Sequence, residues 1–211
     1  MIETLIVPGL NGSPEGHWQR HWAHRDASSE LVEQEEWSKP RFTDWLHTLE
    51  ARIEASAPGV ILVAHSLGCA LVGILAGRPA ASHVGGALLV APADLGSLAE
   101  LHPTIREFAV AQAAARDEVL PFASILVASR NDPFMPYAGA ARLAARWGSA
   151  LVDLGEAGHV NIASGYGPWD DARTIADGLR GRIDRSPAPR RHWDGATLDA
   201  VSVLGPRSQL G

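Results

Sequence analysis

The stretch from Gly59 to Gly77, GVILVAHSLGCALVGILAG, constrains the fold more than any other part of the chain. Its first half opens after Pro58 and is rich in β-branched residues and leucine without polar alternation, the pattern of a strand buried on both faces. A strand of that kind needs helices on either side of its sheet. After Gly68 the spacing of CALVGILAG suits a helix. Ser66 therefore stands on the turn where a buried strand gives way to a helix, and such a turn can expose a hydroxyl at the carboxyl edge of a sheet.

The rest of the chain repeats the alternation. TLIVPG reads as a first strand, LNGSPEG as a loop, HWQRHWAHR as a helix and ELVEQE as a short second strand. In FTDWLHTLEARIEAS, residues Phe42, Trp45, Leu46, Leu49 and Ile53 recur at helical spacing. GALLVAPA is a fourth strand, and FASILVASRND, after Pro121, a fifth. AGAARLAARWG is helical with Gly148 as its stop, SALVDLGEAGH is a sixth strand running into a loop, and WDDARTIADGLRGRI is a final helix. The expected architecture is a three-layer α/β sandwich with a mostly parallel sheet of about six strands. Residues 1–185 are expected to form one domain, residues 93–120 a small lid or insertion, and the Pro- and Arg-rich segment 186–211 a loosely attached tail. Ligands bind such sheets beyond the carboxyl ends of the strands, so the loops PGLNGSPEG, HS, APADLGS, RNDPFMP and GEAGHVNIASGYGPW are where chemistry is sought.

The bulk numbers exclude several classes of function. Net charge is −6 and the 18 basic residues are scattered, so no footprint for a phosphate backbone exists and nucleic acid is not an expected partner. The longest apolar runs fall well short of the about 20 residues that a membrane-spanning helix needs, and no membrane association is expected. Cys69 is the single cysteine, which rules out an internal disulfide and a paired-cysteine metal or redox site. MIETLIVPGL lacks a basic leader and a cleavable apolar core, so the expected setting is cytoplasmic and reducing. In that setting the sequon at Asn11 is a plain loop sequence.

A serine hydroxyl is a weak nucleophile at neutral pH and needs a base within hydrogen-bond reach and a third group to orient the base. Ala64-His65-Ser66-Leu67-Gly68 is a form of the G-x-S-x-G elbow with alanine at the first small position. Asp132 follows the fifth strand and His159 the sixth, and the order Ser, Asp, His is the one that motif's fold requires. Taken alone, Asp132 before a proline also reads as a turn or cap residue and His159 as a loop histidine. Three residues at three consistent strand ends favour the catalytic assignment. The oxyanion would be held by the amide of Leu67 and by that of Leu10, or failing that Asn11, in the loop turned by Gly9.

His17, His21 and His24 stand at i, i+4 and i+7 and resemble a metal-binding helix face, but the zincin pattern needs a glutamate after the first histidine, where Trp18 stands. Packing of His17, Trp18 and Trp22 against the sheet and around the pocket is the expectation, with no metal and no cofactor. His65 is a poor base because its side chain points away from the hydroxyl. Asn11, His17, Trp18 and His65 are the expected pocket-lining residues.

VPGLNGSPEGHWQRHW, LVAHSLGCAL, SRNDPF and GHVNIASGYGPW together resemble the compact α/β-hydrolase family of predicted serine hydrolases, typified by bacterial YdeN-like proteins and retinoblastoma-binding protein nine. The likeness runs from about residue 2 to about residue 184 and leaves the tail outside. The resemblance implies a six-stranded parallel sheet, a Ser66, Asp132, His159 triad, and esterase-like activity, with amidase or thioesterase action open, on a small-molecule acyl substrate. The alternative is a protein-interaction scaffold with negligible turnover, a reading that the presence of all three triad residues disfavours.

Overall fold

The computed structural model describes residues 3–115 and 119–185. Along the chain run β1 (Thr4–Val7), α1 (Trp18–Arg25), β2 (Ser29–Leu31), α2 (Phe42–Ala55), β3 (Val60–His65), α3 (Leu67–Ile74), β4 (Val84–Val90), α4 (Leu95–Leu101), α5 (Arg106–Ala114), β5 (Ala123–Ala128), α6 (Tyr137–Trp147), β6 (Ala150–Asp153) and α7 (Asp171–Arg185). The strands form one sheet in the order β2-β1-β3-β4-β5-β6, and every pairing is parallel.

Successive strand residues point to opposite faces, and the two faces bury separate clusters. Leu5, Leu62, Leu89 and Leu126 pack with α2, α3 and α6 on one side, while Ile6, Val63, Leu88 and Ile125 pack with α1 and α7 on the other. That is why the strands read as unbroken apolar runs. The chain leaves β1 for β2 on one flank and returns as β3 on the other, so the order reverses between β1 and β3, where such sheets open a crevice for ligands.

Most expected elements appear, and one differs. ELVEQE does not continue as a strand: β2 is Ser29–Leu31, and Gln34 turns inward to donate to the Trp45 carbonyl at 3.3 Å. The sixth strand stops at Asp153, because the next residues turn through positive φ at Gly155 and Gly158. Residues 93–115 form α4, a short turn at Pro103–Ile105 and α5, held down by buried Leu95, Ile105 and Phe108. Gly148 ends α6 in the left-handed conformation, which glycine adopts without a Cβ penalty. The tail 186–211 lies outside the described residues. Among the described residues no helix is long and apolar enough to cross a membrane.

Candidate active site

The turn after β3 is built for close approach. Ser66 has φ 54° and ψ −121°, a strained backbone for a residue with a Cβ, and its amide is pinned by the Val90 carbonyl at 3.1 Å. Strain of this kind persists only where neighbours enforce it. A Cβ on Gly68 would come within 2.4 Å of the Val7 carbonyl oxygen, and one on Gly9 within 2.9 Å of the Ser66 Cβ. These two glycines let the loop after β1 lie directly against the turn that carries Ser66. Ala64, where the motif usually has glycine, is fully buried in register with Val7 and Leu89.

Three side chains from separate strand ends meet at this turn. His159 Nε2 lies 2.9 Å from Ser66 Oγ, and His159 Nδ1 lies 3.0 and 2.9 Å from the two carboxylate oxygens of Asp132. A carboxylate can only accept, so Nδ1 carries the proton and Nε2 is left to accept from the serine hydroxyl. Asp132 also accepts from the Phe134 amide at 2.8 Å, and the side chains of Asp132 and His159 are almost wholly sequestered. The two loops are stitched together: Asn131 Oδ1 accepts from the Gly158 amide at 2.7 Å and Ser129 Oγ from the Ala157 amide at 3.0 Å.

The backbone around His159 is itself held by side chains. His65 Nε2–H donates to the His159 carbonyl at 2.8 Å, and Trp18 Nε1–H donates to the Val160 carbonyl at 2.9 Å. Val160 sits at φ 49°, so these bonds secure a segment that would otherwise relax. Gln19 reaches across the sheet end, donating to the carbonyls of Val7 at 3.3 Å and Val63 at 3.0 Å while accepting from Ser13 Oγ at 2.6 Å. His17 caps α1, its Nδ1 accepting from the Gln19 amide at 3.2 Å. Burial, and to a lesser degree the nearby imidazole of His159, pushes His17 down to about 4. The same two causes, with His17 added, hold His65 well below the usual histidine range.

A cavity of about 340 Å³ opens above Ser66. Leu10, Asn11, His17, His65 and Leu67 line it, as the sequence suggests. Trp18 does not: its indole is buried beneath His65 and edge-on to Trp169, with its donor spent on Val160. Nor do His17, His21 and His24 converge, since His17 turns into the cavity while His24 is exposed; among the described residues no group of three His, Cys, Asp or Glu is placed to hold a metal ion. Among the described residues nothing accepts from the amides of Leu10 and Leu67, whereas the Asn11 amide is taken by the Trp37 carbonyl at 2.9 Å. Leu10 is thereby the available donor of the two that the sequence leaves open. Sequence reasoning marks the APADLGS and RNDPFMP loops and the segment 93–120 but does not single out Leu95, Leu98, Ile105 and Phe134, which make the far wall. It also misses Asn161, whose N-x-x-S capping box with Ser164 was a readable signal.

A helix-flanked parallel sheet with a strained serine turn at its carboxyl edge defines an α/β hydrolase, and a sequence model of the family described as serine hydrolase matches residues 4–177. The chain belongs to that family. It is 25% identical over 173 residues to YdeN of Bacillus subtilis (strain 168), named as a hydrolase, with 78% of this chain and 88% of that one covered. The crystal structure of a YdeN-like hydrolase from Pectobacterium atrosepticum SCRI1043 is 30% identical and superposes with a TM-score of 0.68, covering 87% of this chain and 90% of its own. A structure of the metagenome-derived lipolytic enzymes LipS and LipT covers 88% of this chain and 94% of its own with a TM-score of 0.65, and at 18% identity that likeness speaks for the fold alone. Hydrolysis is the class of reaction these relationships support.

Proposed function

We propose that this serine hydrolase cleaves small esters through an acyl-enzyme on Ser66. His159 Nε2 takes the hydroxyl proton as Ser66 Oγ attacks the carbonyl carbon, and the amides of Leu67 and Leu10 receive the oxygen that becomes negative. Asp132 keeps the imidazole in the tautomer that can accept and stabilises the imidazolium. Collapse of the tetrahedral intermediate breaks the bond to the leaving oxygen, which takes the proton from His159. Water, deprotonated by the same nitrogen, then attacks the acyl-serine and restores the hydroxyl. The unbroken series Asp132, His159, Ser66 at 2.9–3.0 Å beneath an open cavity is the observation that carries this reading.

Size supports a small substrate. A cavity of about 340 Å³ stands at the lower end of the about 300–1,000 Å³ of small-molecule sites. A single cysteine leaves no disulfide to form within the chain, which suits a cytoplasmic, reducing setting.

The test is hydrolysis of 4-nitrophenyl acetate, butyrate and pentanoate by the purified protein. Turnover that falls about 10⁴- to 10⁶-fold in Ser66→Ala is the expected result. Undiminished hydrolysis by Ser66→Ala would overturn the proposal, and no hydrolysis by the wild type together with no fluorophosphonate adduct on Ser66 would overturn it in favour of a scaffold role.

A further inference from the structure

His17 is a polar group that the chemistry above does not use. Its Nδ1 accepts from the Gln19 amide, so that nitrogen carries no hydrogen and the proton of the neutral ring sits on Nε2. Among the described residues Nε2 has no hydrogen-bond partner. Yet it is not among the buried side-chain nitrogens that go unsatisfied, so it meets the cavity that His17 lines. The residue as a whole is only 3% exposed, which leaves the cavity as the one direction in which Nε2–H can find an acceptor. Depression of the ring's basicity to about 4 keeps this donor uncharged at neutral pH and keeps Nδ1 free for its cap.

The wall of residues 95–105 is mostly apolar, with Leu95, Leu98 and Ile105 facing the same space beside the single polar side chain of His102. A bound plain alkyl ester would expel water from His17 Nε2–H without replacing its hydrogen bond. Sites with a buried donor discriminate strongly against ligands that leave it unpaired.

We propose that His17 is a specificity-determining residue, its Nε2–H donating to an uncharged oxygen of the substrate, so that the preferred esters carry an ether, keto or hydroxyl oxygen a few bonds from the scissile carbonyl. The proposal rests on the reading of Ser66 as nucleophile. The oxygen can belong to the acyl half or to the alcohol half of the ester, and paired isosteres separate the two. 4-Nitrophenyl ethoxyacetate and 4-nitrophenyl pentanoate differ by one acyl CH₂ replaced by oxygen. 2-Methoxyethyl acetate and butyl acetate differ in the same way in the alcohol.

Two variants divide the roles of the ring. In His17→Asn the side-chain oxygen takes the place of Nδ1 and keeps the cap, but nothing reaches the position of Nε2. In His17→Gln the amide nitrogen reaches that position while the cap is lost. The measured quantity is the ratio of kcat/KM within each pair, which cancels the intrinsic reactivity of the esters when variant is compared with wild type. The expected result is a fall of about tenfold in that ratio for His17→Asn in one pair, with the wild-type ratio largely kept by His17→Gln. Thermal unfolding should show the opposite order, with His17→Gln the less stable, so a merely structural role would move the wrong variant. Unchanged ratios in both pairs for His17→Asn, or an equal fall in both variants, would overturn the assignment. If Ser66 takes up a fluorophosphonate and the ratios do not move, only the His17 assignment fails; if Ser66 is unreactive and no ester is hydrolysed, the assignment falls with the reading it rests on.

Discussion

The cavity has two walls, and they are held in different ways. The wall formed by α1 and the loops after β1, β3 and β6 is directional: Trp18, Gln19 and His65 spend their donors on the carbonyls of Val160, Val7, Val63 and His159. The wall formed by α4 and the turn that follows it, with α5 packed against them, is held by shape. Phe108 is edge-on to both Phe42 and Trp45, Leu95 and Ile105 are buried, and Leu101 and Val110 are left largely exposed on its outer surface. Hydrogen bonds fix position and angle together, while apolar contacts fix volume and tolerate exchange. The first wall therefore governs the placement of reacting atoms, and the second governs which chain fits.

Substitutions can break this contrast. The largest effect is expected from Asp132→Asn, which keeps the shape of the side chain but reverses the tautomer preference at His159; kcat should fall about 10⁴-fold while the unfolding midpoint hardly moves. Near-normal kcat would remove Asp132 from the mechanism. Next comes Trp18→Phe, which keeps an aromatic body and deletes the donor to Val160. Leaving a buried carbonyl without its partner costs about 1–3 kcal/mol, and if that cost falls on the placement of His159, kcat drops about ten- to a hundredfold with little change in KM. A change in KM alone would show that the indole acts on binding instead. Leu98→Ala, on the other wall, should raise KM for 4-nitrophenyl pentanoate about fivefold relative to the acetate, leaving kcat for the acetate close to wild type. Equal effects on both esters would mean that α4 positions the reacting groups too.

The smallest effect concerns acid stability. His17 titrates near 6.5 when unfolded and at about 4 when folded, so between those values the unfolded chain binds the extra proton. Its stabilising contribution is complete above pH 6.5 and is lost as pH falls towards about 4. Urea unfolding of the wild type should weaken through that window, and His17→Asn should show a shallower dependence; identical slopes would mean that His17 is not buried as described.

The fold and the turn at Ser66 were legible because both are local. GVILVA cannot satisfy its side chains except inside a covered sheet, and Gly68 follows from the 2.4 Å approach to Val7 that any Cβ would forbid. ELVEQE misled because its alternation fits a half-buried strand, whereas the pairing ends once the Val32 amide reaches the Ile6 carbonyl at 2.8 Å and Gln34 finds a partner in α2. Trp18 was misplaced for a related reason: it follows His17 directly and shares a helix face with Trp22, but only the packed molecule shows which of them the cavity meets. The segment 93–120 reads as a lid or insertion, but nothing local marks Leu95, Leu98 and Ile105 as the residues that face the cavity, since that role arises where residues 95–105 fold over a turn about thirty positions earlier in the chain.

Activation of one hydroxyl by its two buried neighbours is the claim most open to direct attack. Treating the folded protein with a fluorophosphonate and mapping the adduct by mass spectrometry tests it. The account predicts a single adduct on the peptide that carries Ser66, formed far more slowly in Asp132→Asn and absent in Ser66→Ala. No adduct, or one that survives in Ser66→Ala, would contradict it.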